Sequence, residues 1–217
     1  MMMQKNLTLI LVLVLSLIFL AGCTGIEKSS DKQRIDISDM DGLYDYVNAE
    51  IFPMSREDFD TGVGISFLDV TGDDMAEALM VNNMDWSKNI EMVSIEGDRY
   101  KNIKTDLQIH KYKNEFEMQD GFIKVVQATG GTGQAVEFMS LLKYDNGRMI
   151  TVLRELELSL RESGIEDWYR DYRAEIKGPL THFQYILDKD ENGKKSVERR
   201  LYTFNEDTFS FEEKSMQ

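Results

Sequence analysis

Leu141-Leu142-Lys143-Tyr144-Asp145-Asn146-Gly147-Arg148-Met149-Ile150-Thr151-Val152 reads as two strands meeting at a two-residue turn. The tight hairpin turn whose twist matches its strands needs positive φ at both central residues, and Asn-Gly supplies it at least cost. Beyond the turn, Ile150, Val152, Leu156, Leu158 and Leu160 fall on one face, while Thr151, Glu155, Glu157 and Ser159 fall on the other. That is the pattern of a long strand with one wet side. The Leu and Glu content of residues 149–161 also carries helical propensity, which competes with the alternation.

The same period extends outward in both directions. Strands are predicted over 65–70, 76–82, 90–95, 99–105, 108–112, 115–118, 122–128, 135–144 and 149–160, and again over 183–187, 197–204 and 208–211. Short turn sequences separate them: Glu96-Gly97-Asp98, Gln119-Asp120-Gly121, Gly130-Gly131-Thr132-Gly133 and Asn205-Glu206-Asp207. Ahead of the strands, Leu43, Tyr46 and Val47 are spaced as one helical stripe over residues 39–49, with Ser38 as the cap and Phe52-Pro53 as the stop. Residues 167–173 fit either period. As a helix they place Trp168 and Tyr172 together, and as a strand they align Trp168, Arg170 and Tyr172, either as a packing cluster or as an aromatic sugar-binding face. The expected fold is mainly β (α+β), an antiparallel meander forming a curved sheet or sandwich with one N-terminal helix.

The chain begins differently. Lys5 precedes an almost unbroken apolar run over residues 7–20, which ends in Leu20-Ala21-Gly22-Cys23 and holds the protein's single cysteine. The run falls short of the roughly 20 apolar residues of a membrane span, and small residues follow it at once. Leu20-Ala21-Gly22-Cys23 resembles the bacterial lipobox. That resemblance implies cleavage before Cys23, a diacylglycerol on its thiol, and localisation to the cell envelope on the extracytoplasmic face of a membrane. Acyl chains contribute about 0.8 kcal/mol per buried methylene, so several of them hold a protein at a bilayer. The expected organisation is a lipoprotein signal peptide over 1–22, a lipidated Cys23 with a polar tether to residue 36, and one β-rich domain over 37–217. The competing reading is an ordinary cleaved secretory signal with an incidental cysteine.

Charge bears on the partners. Removal of residues 1–22 takes away Lys5 alone, leaving 24 basic side chains against 39 acidic ones. A surface of that sign repels nucleic acid, whose phosphates call for clustered Lys and Arg. With no cysteine beyond Cys23, there is no disulfide, zinc-thiolate site or thiol nucleophile in the body of the chain. The expected partners are the membrane, through lipid on Cys23, and an envelope protein or glycan.

Oxygen ligands concentrate in Asp69-Val70-Thr71-Gly72-Asp73-Asp74-Met75-Ala76-Glu77. Side chains of Asp69, Thr71, Asp73 and Glu77, with the carbonyl of Met75, alternate as a hard cation such as Ca2+ requires. With its flanks over 67–81, the stretch resembles the FG-GAP and VCBS-like repeat unit of extracytoplasmic proteins, some of which bind calcium between two strands. Those units carry glycine where this chain has Asp74. The alternative is a tight turn in which Asp69 and Asp73 accept backbone N–H bonds. A propeller of such units needs at least four four-stranded blades, more strands than this chain offers, so the resemblance extends to a single hairpin.

Residues 188–194 open like an EF-hand, but the twelfth position is Arg199 rather than a bidentate Glu, so they read as a solvated hairpin turn. Patterns for nucleophile elbows, zincins and phosphate loops are absent from the sequence, and His110 and His182 belong to no motif. Two functions follow as expectations. The first is a non-catalytic binding or assembly module, and the second a carboxylate-dependent, Ca2+-assisted envelope hydrolase.

Overall fold

The computed structural model describes residues 35–85, 88–110, 112–131, 133–163 and 169–215. The expected leader, Cys23 and most of the expected tether therefore lie outside the described residues, as does Trp168.

Among the described residues two helices come first. The helix α1, Met40–Glu50, is capped by Asp39, whose carboxylate accepts from the Asp41 amide. Ser38 instead donates its hydroxyl to Asp36. Leu43 and Val47 are fully buried along one stripe. A second helix, α2, Arg56–Gly62, adds to the one expected from sequence. Ser55 caps it by accepting from the Asp58 amide, while its hydroxyl donates to the Asp58 carboxylate. Arg56 pairs with Asp60 on α2 and Asp41 on α1 and lies over the Tyr44 ring, tying the helices together.

Twelve strands follow among the described residues, in two antiparallel sheets. The first is β1 (Val63–Leu68), β2 (Glu77–Asn82), β3 (Asn89–Glu96) and β4 (Arg99–Gln108), in chain order. Every residue of β2 is buried, because both faces of this sheet are covered. Ala78, Met80 and Val93 pack under Leu43, Val47 and Phe59 of the helices. On the other face, Leu79, Ile90, Met92 and Leu107 meet Ile123, Val125 and Leu142 of the second sheet.

The second sheet is a meander of β5 (Lys113–Gln119), β6 (Phe122–Gly131), β7 (Gln134–Asp145), β8 (Arg148–Ser163), β9 (Tyr169–Lys177), β10 (His182–Glu191), β11 (Lys194–Asn205) and β12 (Ser210–Ser215). The predicted segment 108–112 is not a strand. β4 runs on to Gln108, and the buried Ile109 then carries the chain across to the second sheet. A fully buried Gln127 fastens this crossover, donating to the Gln108 carbonyl and to Asn114, which itself bonds the backbone of His110. Residues 169–173 take the strand alternative as part of β9. Positive φ at both Asn146 and Gly147, and likewise at Asp120-Gly121 and Asn192-Gly193, confirms two-residue turns of the predicted kind, the last in the EF-hand-like stretch.

This sheet curves and doubles back on itself. Two residues of β8 bulge between the pairs Met139–Leu156 and Leu141–Leu153. There Glu155 adopts φ of 50° and its amide donates to the buried Ser140 hydroxyl. A bulge bends its strand and increases the local twist. Phe122, Leu141 and Val152 consequently face Phe183, Tyr185 and Tyr202 from the far end of the same sheet, in a second core rich in aromatic pairs. The ladder between β8 and β9 covers only Ser159–Ser163 against Tyr169–Arg173, after which β9 continues along β10.

Candidate functional site

The acidic loop joins β1 to β2 and is built around its own amides. Glu77, 3% exposed, turns inward and accepts from Val70 N at 2.7 Å, Thr71 N at 3.3 Å and the Thr71 hydroxyl at 3.2 Å. Burial raises its carboxyl above the ordinary range; the three hydrogen bonds pull it down and the nearby Asp73 charge adds to the rise. Asp69 accepts from the amides of Gly72 at 2.8 Å and Asp74 at 3.1 Å, and Asp73 from that of Met75 at 3.0 Å. The oxygens named in the sequence thus lie in one loop, but with each carboxylate directed at backbone N–H groups. Among the described residues, no group of three or more His, Cys, Asp or Glu is arranged to hold a metal ion. Asp74 has φ of +63°. It therefore occupies the left-handed pose that glycine adopts freely, at the position where the repeat units resembled by this loop carry glycine.

A second feature has no signature in the sequence. Where β8 and β9 part, the concave face of the large sheet opens into a hollow of about 520 Å3. Val126 from β6, Met139 from β7, Leu158 from β8 and Ile176 from β9 form an apolar floor, with charged Lys124, Glu137 and Arg173 also lining it. Glu137 is held by Lys113 at 2.7 Å and Lys124 by Glu117 at 3.2 Å. Arg173, 73% exposed at its side chain, lies 3.9 Å from Asp171. The apolar lining residues of each strand look like ordinary core in isolation, so only the curvature reveals the strip.

The two histidines are apart. His110 lies 3.4 Å from Glu155 beside the Phe138 ring, and His182 contacts the Thr203 hydroxyl at 2.9 Å. Among the described residues no helix is long and apolar enough to cross a membrane. In comparisons with family models, curated proteins and solved structures, no match to the chain was found.

Proposed function

Starting from a chain defined by its leader and its curved sheet, we propose that this protein is an extracytoplasmic lipoprotein. Cys23 carries the lipid, and the β-rich body acts as a non-catalytic binding or assembly module at the membrane face. The observation that carries this reading is Leu20-Ala21-Gly22-Cys23 at the end of the apolar run, with the only cysteine of the chain at the lipobox position. The excess of acidic side chains supports a partner other than nucleic acid. A concave, partly apolar face supports binding, since ligand sites are hollows of about 300–1,000 Å3 with a few placed polar groups.

Metabolic labelling with palmitate tests the anchor. Wild type takes up label and stays with the membrane, while Cys23→Ala does neither. Equal release of both proteins into the medium refutes it.

A further inference from the structure

We propose that the open edge of β1 pairs antiparallel with β1 of a second copy of this chain, joining two four-stranded sheets into one of eight. The proposal names the partner for the assembly reading above and rests on it.

Charge singles out this edge. Among the described residues the outer strands of the two sheets are β1, β4, β5 and β12. β4 is covered by β8, whose Thr151 and Arg154 both bond Asp106. β5 carries Lys113, Glu115 and Glu117, and β12 carries Glu212, Glu213 and Lys214. Charges on an outer strand guard it against pairing with another chain. β1, Val63-Gly64-Ile65-Ser66-Phe67-Leu68, has none, in a protein of net charge -14. Large exposed apolar side chains gather there instead: Phe67 on the strand is 41% exposed, and Met84, 60% exposed, lies against Gly62 at the strand's start.

The backbone is the second argument. The Asn83 amide donates to the Gly62 carbonyl, and the register then makes Gly64, Ser66 and Leu68 the residues that exchange hydrogen bonds with β2. Val63, Ile65 and Phe67 turn their backbone groups to the open side. The Val63 amide bonds the Phe59 carbonyl, whereas the amides and carbonyls of Ile65 and Phe67 have no partner among the described residues.

These free groups match their own copies across a two-fold axis at Ser66. With Ile65 opposite Phe67 of the second copy, and Phe67 opposite its Ile65, every one of those amides meets one of those carbonyls. The same register covers each exposed Phe67 ring with an Ile65 side chain, an aromatic and β-branched pair. Asp69, the first charged residue after the strand, lies about 20 Å along the ladder from its counterpart, well beyond the Debye length of about 8 Å. Pairing uses up the open edge of β1 in both copies, so the isologous contact closes at two. A ladder of six residues is a small interface, so the pair is weak when free and gains from tethering of both copies to one membrane.

The test applies sedimentation equilibrium and disulfide trapping to the full-length protein in a non-ionic detergent. Wild type should show a reversible equilibrium between monomer and dimer. Phe67→Pro removes an open-side amide and leaves the bonds to β2 in place, while Phe67→Lys guards the edge with charge. Both, checked for folding by circular dichroism, should raise the dimer dissociation constant at least about tenfold. Ser66→Cys faces itself across the axis as a non-hydrogen-bonded pair, at a Cα spacing of about 4.5 Å that a disulfide accepts. It should oxidise to a covalent dimer at least about tenfold faster than Lys214→Cys on β12, Cys23 being common to both variants. A monomer at every concentration, a dissociation constant unmoved by either substitution of Phe67, or equal trapping at the two positions would overturn the proposal. Each of those results would leave palmitate incorporation at Cys23 untouched, so the two readings fall separately.

Discussion

The Tyr185 hydroxyl donates a 2.7 Å hydrogen bond to the carbonyl of Glu157, across the gap where β8 has left β9. Tyr185 is 2% exposed. Burial, reinforced by the Glu157 carboxylate, pushes its phenol far above the ordinary value, so it remains a donor. A side chain thus supplies what a ladder partner supplies further along the strand. Tyr185→Phe keeps the ring and strands a carbonyl, and should cost about 1–3 kcal/mol in urea unfolding with an unchanged m value. A loss below about 0.5 kcal/mol would mean that water replaces the hydroxyl.

Glu77 gives a pH dependence of definite sign. Its folded carboxyl lies above the ordinary 4.5, so the native state holds its proton more tightly than the unfolded chain. Stability from this group is present at acid pH and is lost as the pH rises through the window above 4.5. Glu77→Gln retains an oxygen for the Val70 and Thr71 amides and removes the charge. Thermal midpoints of the two proteins should therefore diverge in the variant's favour as pH rises through that window. Glu77→Ala loses the acceptors as well and should be about 1–3 kcal/mol less stable at neutral pH. Parallel pH profiles for wild type and Gln would count against this account.

Asp74 provides a test of the loop backbone. A left-handed conformation costs an ordinary L-residue about 1–2 kcal/mol and Asp somewhat less, so Asp74→Gly should be neutral or stabilising by up to about 1 kcal/mol. Calorimetry on the same pair addresses calcium. With Asp69, Asp73 and Glu77 turned to amides, Ca2+ at about 1 mM, the weak end of extracellular sites, should leave the wild-type midpoint unmoved. A rise abolished by Asp69→Ala would show that the carboxylates reorient around the ion.

Gly130 and Gly131 are neighbours with opposite expectations. A Cβ on Gly130 would sit 2.4 Å from the Gln134 carbonyl oxygen and 3.1 Å from the Ala135 Cα, whereas at Gly131 it would meet nothing within 4 Å. Gly130→Ala should destabilise by about 1–3 kcal/mol through forced movement of the β6–β7 end. Gly131→Ala should be neutral or gain up to about 1 kcal/mol from a stiffer unfolded chain. Similar midpoints for both variants would be inconsistent with this pairing.

Turns were the most legible part of the sequence. Asp120-Gly121, Asn146-Gly147 and Asn192-Gly193 carry their conformation in two residues each, and alternation located most strands between them. The helix α2 was missed because its one buried large side chain, Phe59, gives no stripe. Its signal was Ser55 three residues before Asp58, a capping pair. Segment 108–112 misled because Ile109 is buried at a crossover between sheets rather than in a strand. Partition into four and eight strands arises at the Ile109 crossover, and the hollow on the concave face from the bulge at Glu155 and contacts between distant strands. No local period encodes either. The acidic loop was legible in composition; the inward rotation of Glu77 was not, since a carboxylate used by backbone amides and one offered to an ion have the same spacing.

The short ladder joining β8 to β9 divides the large sheet mechanically. Five residue pairs bridge two panels that are elsewhere zipped along most of their length. Tension applied across that seam is carried by five ladder pairs and by the aromatic core between the leaves rather than by a full ladder, so mechanical load concentrates in the crease. The protein is thus built like a hinged shell, whose aromatic lining holds it shut.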